Sequence, residues 1–353
     1  MKLVIKVFLS FIILLILVLL YKEISSGATR PIKDSQGNII GESVASLKKV
    51  ELGGMEQWIQ IRGEDVSNPV LLWLHGGPGA AQMPVAHYFN GELESEFIVV
   101  HWDQRGAGKS NPPDFDEKTM TFERFVEDSH ELTVYLKDRF QKEKIYLLGH
   151  SWGSQLGIKV AQKYPDNYYA YIGVSQVVDP VQGQELAYTW LKEQIHQRGN
   201  QRDLAQLEQL GLPQYTVHKD FVTFARLIDK YGGNMDVSMG KLAWIALRSP
   251  EYKIRDYISW LQGANRGSGP MWETTLSFNV LEEVPQLLLP VYFISGENDR
   301  NTPLLSVEEY FTFLNAPKGK ELIVFEKSAH TPFMGEPERF NYELIMIKRE
   351  TFN

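Results

Sequence analysis

A short apolar run, Ile145-Tyr146-Leu147-Leu148, leads straight into Gly149-His150-Ser151-Trp152-Gly153, and a helix-forming stretch follows from Ser154 to Tyr164. Few folds accept that order. A buried strand that passes at once into a helix must turn its backbone sharply at one residue. Flanking glycines remove the Cβ atoms that would block such a turn. The helix beyond it offers free N–H groups and the positive end of its dipole. Strand, G-x-S-x-G and helix in succession form the elbow that raises a serine hydroxyl above a sheet. Ser151 is therefore the candidate nucleophile.

The surrounding sequence has the matching rhythm. Ser46–Leu52 and Gln57–Arg62 read as two strands about Gly53-Gly54, a hairpin signal. Pro69–Leu74 and Phe97–Trp102 are short continuous apolar runs, as expected of strands buried on both faces. Between Phe122 and Phe140 the apolar residues recur at helical spacing, and Tyr169–Val174 is again strand-like. This alternation implies an α/β domain with a mainly parallel sheet covered on both sides. From residue 178 to 287 the rhythm stops and the pattern is helical, with Trp190, Leu191, Ile195, Leu204, Leu207 and Leu210 as periodic positions. Strands resume at Pro290–Ser295 and Glu321–Phe325, and a closing helix is expected over Pro337–Lys348. The reading is a core of residues 44–177 and 288–353, interrupted by a helical insertion at 178–287. Both parts have ordinary domain sizes.

A serine nucleophile needs a base, and the base needs an orienting acid. His330 stands in Ser328-Ala329-His330-Thr331-Pro332, just after the last expected strand. Asp299 stands in Gly296-Glu297-Asn298-Asp299, just after the strand before it. Both follow strand C-termini, where sites of open α/β sheets lie. Glu297 is the alternative acid. His75-Gly76-Gly77-Pro78-Gly79 follows the strand at Pro69–Leu74 and can bring backbone N–H groups close to a developing oxyanion. Gly77 and Trp152 are the expected oxyanion donors, with Gly76 as an alternative to Gly77. Gly108-Lys109-Ser110 lacks the glycine that a phosphate-binding loop needs, since position 103 is Asp. Asp103 and Arg105 are expected to pin their loop.

Composition removes other chemistries. The chain has no cysteine, which excludes disulfides, thiolate catalysis and Cys-ligated metals. The net charge is −8 and no basic stripe stands out, which argues against nucleic acid. The expected chemistry needs no metal and no organic cofactor.

Taken in order, HGGPG, DQRGAGKS, GHSWG, GEND and SAH resemble the α/β-hydrolases related to proline iminopeptidases, peptidase family S33. The resemblance runs from about Val70 to the C-terminus. It implies a triad of Ser151, Asp299 and His330, a helical cap over the site, and proline iminopeptidase-like aminopeptidase cleavage of a small peptide or amide substrate. Carboxylesterase activity is the rival within the class. A binding or sensor protein on the same scaffold is the rival outside it, and an intact triad argues against that. Dehalogenase and epoxide hydrolase chemistry would need aspartate at position 151. The resemblance also implies cap glutamates that hold a free N-terminal amine, in W-x-x-W-E and E-N-H-Y-F contexts. Neither context occurs here. Trp272-Glu273 is the nearest approach, and Glu185 is a further acidic candidate.

The N-terminus adds a separate expectation. Leu3–Tyr21 is apolar apart from Lys6 and Ser10. About twenty such residues span a bilayer as a helix. The run is expected to be an uncleaved membrane anchor, with residues 22–43 as a tether, membrane lipid as a partner, and the catalytic part outside the cytoplasm. Secretion after signal cleavage is the alternative.

Overall fold

The computed structural model describes residues 20 and 22–352. Eight strands form one sheet: β1 Val44–Leu52, β2 Met55–Gly63, β3 Val70–Leu74, β4 Ile98–Asp103, β5 Ile145–His150, β6 Tyr168–Val174, β7 Val291–Gly296 and β8 Lys320–Phe325. Their spatial order is β1-β2-β4-β3-β5-β6-β7-β8. The β1–β2 and β2–β4 pairs are antiparallel, and all pairs from β4 across to β8 are parallel. The fold is thus α/β with a mostly parallel sheet.

Strand β3 shows why the apolar runs are continuous. All five of its residues are buried. Leu72 and Leu74 pack into one core with Val100, Leu147 and Leu156, whereas Leu71 and Trp73 pack into another with Val99, Leu148 and Phe340. Side chains alternate across a strand, so a strand with a core on each side must be apolar at every position.

Among the described residues, nine longer helices accompany the sheet: α1 Phe122–Phe140, α2 Trp152–Lys163, α3 Pro180–Gln197, α4 Gln201–Leu210, α5 His218–Lys230, α6 Met239–Leu247, α7 Ile254–Ser277, α8 Leu304–Phe313 and α9 Pro337–Thr351. Helix α1 starts where Thr121 accepts the Arg124 N–H at 3.1 Å and ends at Gln141 in the left-handed region. Helices α3 to α7 fill the interval between β6 and β7. Part of this interval has its own core, in which Leu191, Ile195 and Leu207 are buried with Phe224 and Ile228.

Helix α7 lies tight on the HGGPG loop. A Cβ on Gly79 would sit 2.1 Å from the Gly263 oxygen, and one on Gly267 would sit 2.6 Å from the Pro78 oxygen. Helix and loop touch backbone to backbone, so these positions have no room for a side chain. The 103–110 loop is fixed from both ends. Asp103 accepts the Lys109 N–H at 2.8 Å and the Tyr252 hydroxyl, while Arg105 reaches Asp128 at 3.0 Å and the Leu52 and Gly53 carbonyls at 3.2 Å. Burial pushes the Asp103 carboxyl up to about 7.

One expectation lies outside the described residues, and another meets a different outcome. The apolar run Leu3–Tyr21 lies, apart from Leu20, outside the described residues. Among the described residues no helix is long and apolar enough to cross a membrane. Part of the stretch read as a tether is bound to the body of the protein. The Gly27 N–H donates to the Pro250 carbonyl at 2.7 Å, and Arg62 donates to Thr29 and to the Arg30 carbonyl at 2.7 and 2.6 Å. Its polar composition suggested solvation, but its backbone groups have found partners on the core and on the α6–α7 corner.

The elbow itself yields a stability prediction. A Cβ on Gly153 would lie 2.3 Å from the Leu74 oxygen and 2.6 Å from the His75 oxygen. Both obstacles are backbone and cannot rotate away. Gly153→Ala is expected to cost about 3 kcal/mol. Urea unfolding of the variant measures it, and an unchanged midpoint would remove this account of the elbow.

Candidate active site

Ser151 joins β5 to α2 with φ 55° and ψ −126°, a strained conformation for a residue with a side chain. Its N–H donates to the Val174 carbonyl at 3.0 Å, which ties the elbow to β6. A serine at a helix N-cap ordinarily bonds to the first turn, but the Ser151 side chain makes no such bond. Its hydroxyl faces the His330 Nε2 at 2.9 Å instead.

His330 Nδ1 lies 2.8 Å from Asp299 Oδ2. Donation from Nδ1 to the carboxylate leaves Nε2 free to accept the serine proton. Asp299 is fully buried, and four bonds hold it. Oδ1 accepts the N–H groups of Asn301 and Thr302 at 2.8 and 2.9 Å, and Oδ2 accepts the Thr302 hydroxyl at 2.6 Å as well as the imidazole. Burial alone would raise the carboxyl. His330 and the Thr302 donors outweigh it and hold Asp299 below its ordinary value. The group therefore stays ionised beside the histidine at neutral pH. Glu297 is exposed and takes no part.

The structure brings Ser151, Asp299, His330, Gly77 and Trp152 together. Trp152 opens α2, and its indole packs at 5.0 Å against Phe125. Gly77 has φ 117° and lines the same cavity as Ser151. The backbone N–H groups of Gly77 and Trp152 have no acceptor among the described residues. Free N–H groups on the two loops flanking a nucleophile are what an oxyanion requires. Glu185 and Glu273 are not brought in. Both are exposed, and neither lines the cavity.

Several positioning residues escape sequence reasoning. His150 is buried, with its Nε2 2.9 Å from the His330 carbonyl and its Nδ1 2.9 Å from Gln82 Nε2. Those partners fit a neutral ring with the proton on Nε2, and burial pushes its pKa down to about 3. Ser175 also donates to the His330 carbonyl, at 3.0 Å. From the helical interval, Asp236 accepts the Ala329 and Thr331 N–H groups at 2.6 and 2.7 Å, and the Asn234 carbonyl accepts the His330 N–H at 2.8 Å. His75 bonds the Gly76 carbonyl through Nδ1 at 2.8 Å and the Gln104 N–H through Nε2, which makes it a loop fastener.

Above the serine lies a cavity of about 380 Å³. Its floor is Gly76, Gly77, His150, Ser151 and His330, and α6 and α7 roof it with Met239, Leu242, Trp260 and Leu261. Among the described residues, no Asp or Glu lines it. Its lining residues Gln82 and Asn234 each carry an amide oxygen without a donor among the described residues. No group of three His, Asp or Glu side chains among the described residues is arranged to hold a metal.

Comparison with known proteins agrees with this fold. The model of the alpha/beta hydrolase fold family matches residues 69–337. A probable aminopeptidase of Bacillus subtilis (strain 168), YbaC, is 36% identical over 308 residues, covering 85% of this chain and 95% of that protein. A proline iminopeptidase of Heyndrickxia coagulans is 27% identical over 284 residues, 77% and 87% of the two chains. The crystal structure of a Mycobacterium smegmatis proline iminopeptidase superposes with a TM-score of 0.63 at 22% identity, covering 87% of this chain and 98% of that one. At that identity the likeness concerns the fold.

Proposed function

The chain belongs to the α/β-hydrolase fold family, as a proline iminopeptidase-like hydrolase, and from that premise we propose that it is a serine hydrolase cleaving a small amide at a peptide N-terminus. The observation that carries the reading is the unbroken hydrogen-bonded chain from Ser151 through His330 to Asp299 at the floor of the cavity.

The reaction runs in two steps. His330 Nε2 takes the Ser151 proton as Oγ attacks the carbonyl carbon. The carbonyl oxygen becomes an oxyanion, and the Gly77 and Trp152 N–H groups receive it. Asp299 holds the imidazole in the accepting tautomer and stabilises the imidazolium. The C–N bond breaks as His330 returns the proton to the leaving amine. Water, deprotonated by the same histidine, then bonds to the acyl carbon, the bond to Ser151 Oγ breaks, and His330 returns the proton to that oxygen. Each step uses groups of this chain, and none requires a metal.

Amide cleavage at an N-terminus rests on the names of the relatives. Among the described residues, no carboxylate lines the cavity to receive a bound amine. That absence favours a second reading, an esterase acting on uncharged acyl groups. A prolyl arylamide with a free amine, its N-acetyl derivative and a short acyl ester separate the two. The first reading expects the free amine to be cleaved about tenfold or more faster than the acetylated form, the worth of a hydrogen bond to a charged group. Turnover of the ester alone would sink the peptidase reading and leave the hydrolase.

A membrane anchor at Leu3–Tyr21, with the catalytic part on the outer side, remains our proposal from the length and apolarity of that run.

A further inference from the structure

The cavity opens beside α6 and α7, since its lining residues Met239 and Leu261 remain 63% and 64% exposed and Ala264 of α7 is exposed as well. The apolar exposure continues outward. On α6, Trp244 and Leu247 are 63% and 51% exposed, and on α7, Ile258 is 58% exposed. Arg255, Ile258 and Leu261 follow each other at three-residue intervals, so they share one face of α7. That face leads to the N-terminal segment. Lys22–Ser25 form a helical turn on the α6–α7 corner, where Glu23 meets Arg255 at 3.6 Å and the Lys22 ammonium bonds the Ser249 carbonyl. Ile24 of this turn is 82% exposed. From Arg255 to Leu261 the helix rises about 9 Å. The point where Leu3–Tyr21 joins the body and the mouth of the cavity are therefore close neighbours.

The charges around the face are basic. Lys241, Arg248 and Arg255 are exposed. The nearby carboxylates are buried or paired: Glu251 is buried, Asp256 pairs with Lys109 at 2.5 Å, and Glu23 meets Arg255 at 3.6 Å, which leaves Lys241 and Arg248 without a carboxylate partner among the described residues. This is a local excess of positive charge on a chain whose net charge is −8.

From these observations we infer that the exposed α6–α7 face docks on an anionic lipid surface, so that the cavity mouth opens against the membrane. Three facts choose lipid over other occupants. The apolar run that ends at this corner would be about 28 Å long as a helix, close to the roughly 30 Å hydrocarbon core. It is apolar all round, so laid along the protein it would leave one apolar side in water. Exposed arginine and lysine beside apolar side chains suit anionic headgroups above acyl chains.

The absence of cysteine makes the test direct. The full chain carrying Trp244→Cys, Ile258→Cys or, as a control on the far edge beside β8, Lys318→Cys is labelled with an environment-sensitive nitrobenzoxadiazole. Each is reconstituted into phosphatidylcholine vesicles with about one-third phosphatidylglycerol. The labels at 244 and 258 are expected to shift to the blue, to lose most of their emission to doxyl-labelled lipid, and to resist aqueous iodide. The label at 318 should do none of these. Iodide access at 244 and 258 equal to that at 318 would overturn the inference. Shielding from iodide without quenching by doxyl lipid would overturn it too, because the N-terminal run or a second copy would then cover the face. None of the three readouts depends on catalysis.

Discussion

Ser151→Ala lowers kcat by roughly a millionfold, with little change in stability. The first half follows from removing the only atom placed to form the acyl bond; the loss of a triad serine in an enzyme of this mechanism is of that order. The second half is specific to this chain. Among the described residues, the Ser151 hydroxyl has one partner, His330 Nε2. It does not cap α2. Alanine inherits the same backbone strain, and no buried donor or acceptor loses a structural bond. The variant should therefore unfold within about 1 kcal/mol of the parent. Steady-state turnover and thermal unfolding measured together test both halves. A large loss of stability would mean that the serine holds the elbow together as well as reacting.

Asp299→Asn is the second large effect, an expected fall in kcat of roughly 10⁴-fold. The hydrogen bonds around the carboxylate dictate why. Oδ1 faces two backbone N–H donors, from Asn301 and Thr302, which cannot turn into acceptors. The asparagine oxygen must take that place. The amide nitrogen then occupies the site of Oδ2, opposite the Thr302 hydroxyl and His330 Nδ1. An N–H facing Nδ1 forces the imidazole to accept there, which moves its proton to Nε2. Ser151 then faces a donor, and no base is available. The charge that would stabilise the imidazolium is lost as well. The kcat of the purified variant checks the size of the effect. A crystal structure of the variant with His330 unmoved would assign the loss to the tautomer, whereas a displaced ring would assign it to geometry.

The parts of the site legible in the sequence are those fixed by local structure. The elbow was readable because a strand, two glycines and a helix are adjacent in the chain, and Asp299 and His330 because each follows its strand within a few residues. His150, Gln82, Ser175 and Asp236 were not readable. Asp236 meets the Ala329–Thr331 backbone 93 to 95 residues away, and no local pattern marks such a contact. Helical spacing also fails to say which way an acid faces. Gln184 is buried because its side-chain oxygen accepts the N–H groups of Gln214 and Tyr215, which turns its neighbour Glu185 outward. Trp272 is buried with its indole N–H on the Tyr215 carbonyl, and Glu273 beside it points to solvent. The HGGPG loop was recognised for its N–H groups. Its contact with Gly263 and Gly267 of α7 was invisible, because the glycines that meet there are far apart in the chain.

The covalent step is the centre of the account, and trapping it is the most direct test. The full chain is treated with a fluorophosphonate, and its intact mass and peptide map are recorded beside those of Ser151→Ala. The account predicts a single phosphonyl adduct, on the peptide that contains Ser151, formed in step with the loss of turnover and absent from the variant. Full turnover in the absence of any adduct, or an adduct that persists in Ser151→Ala, would contradict it.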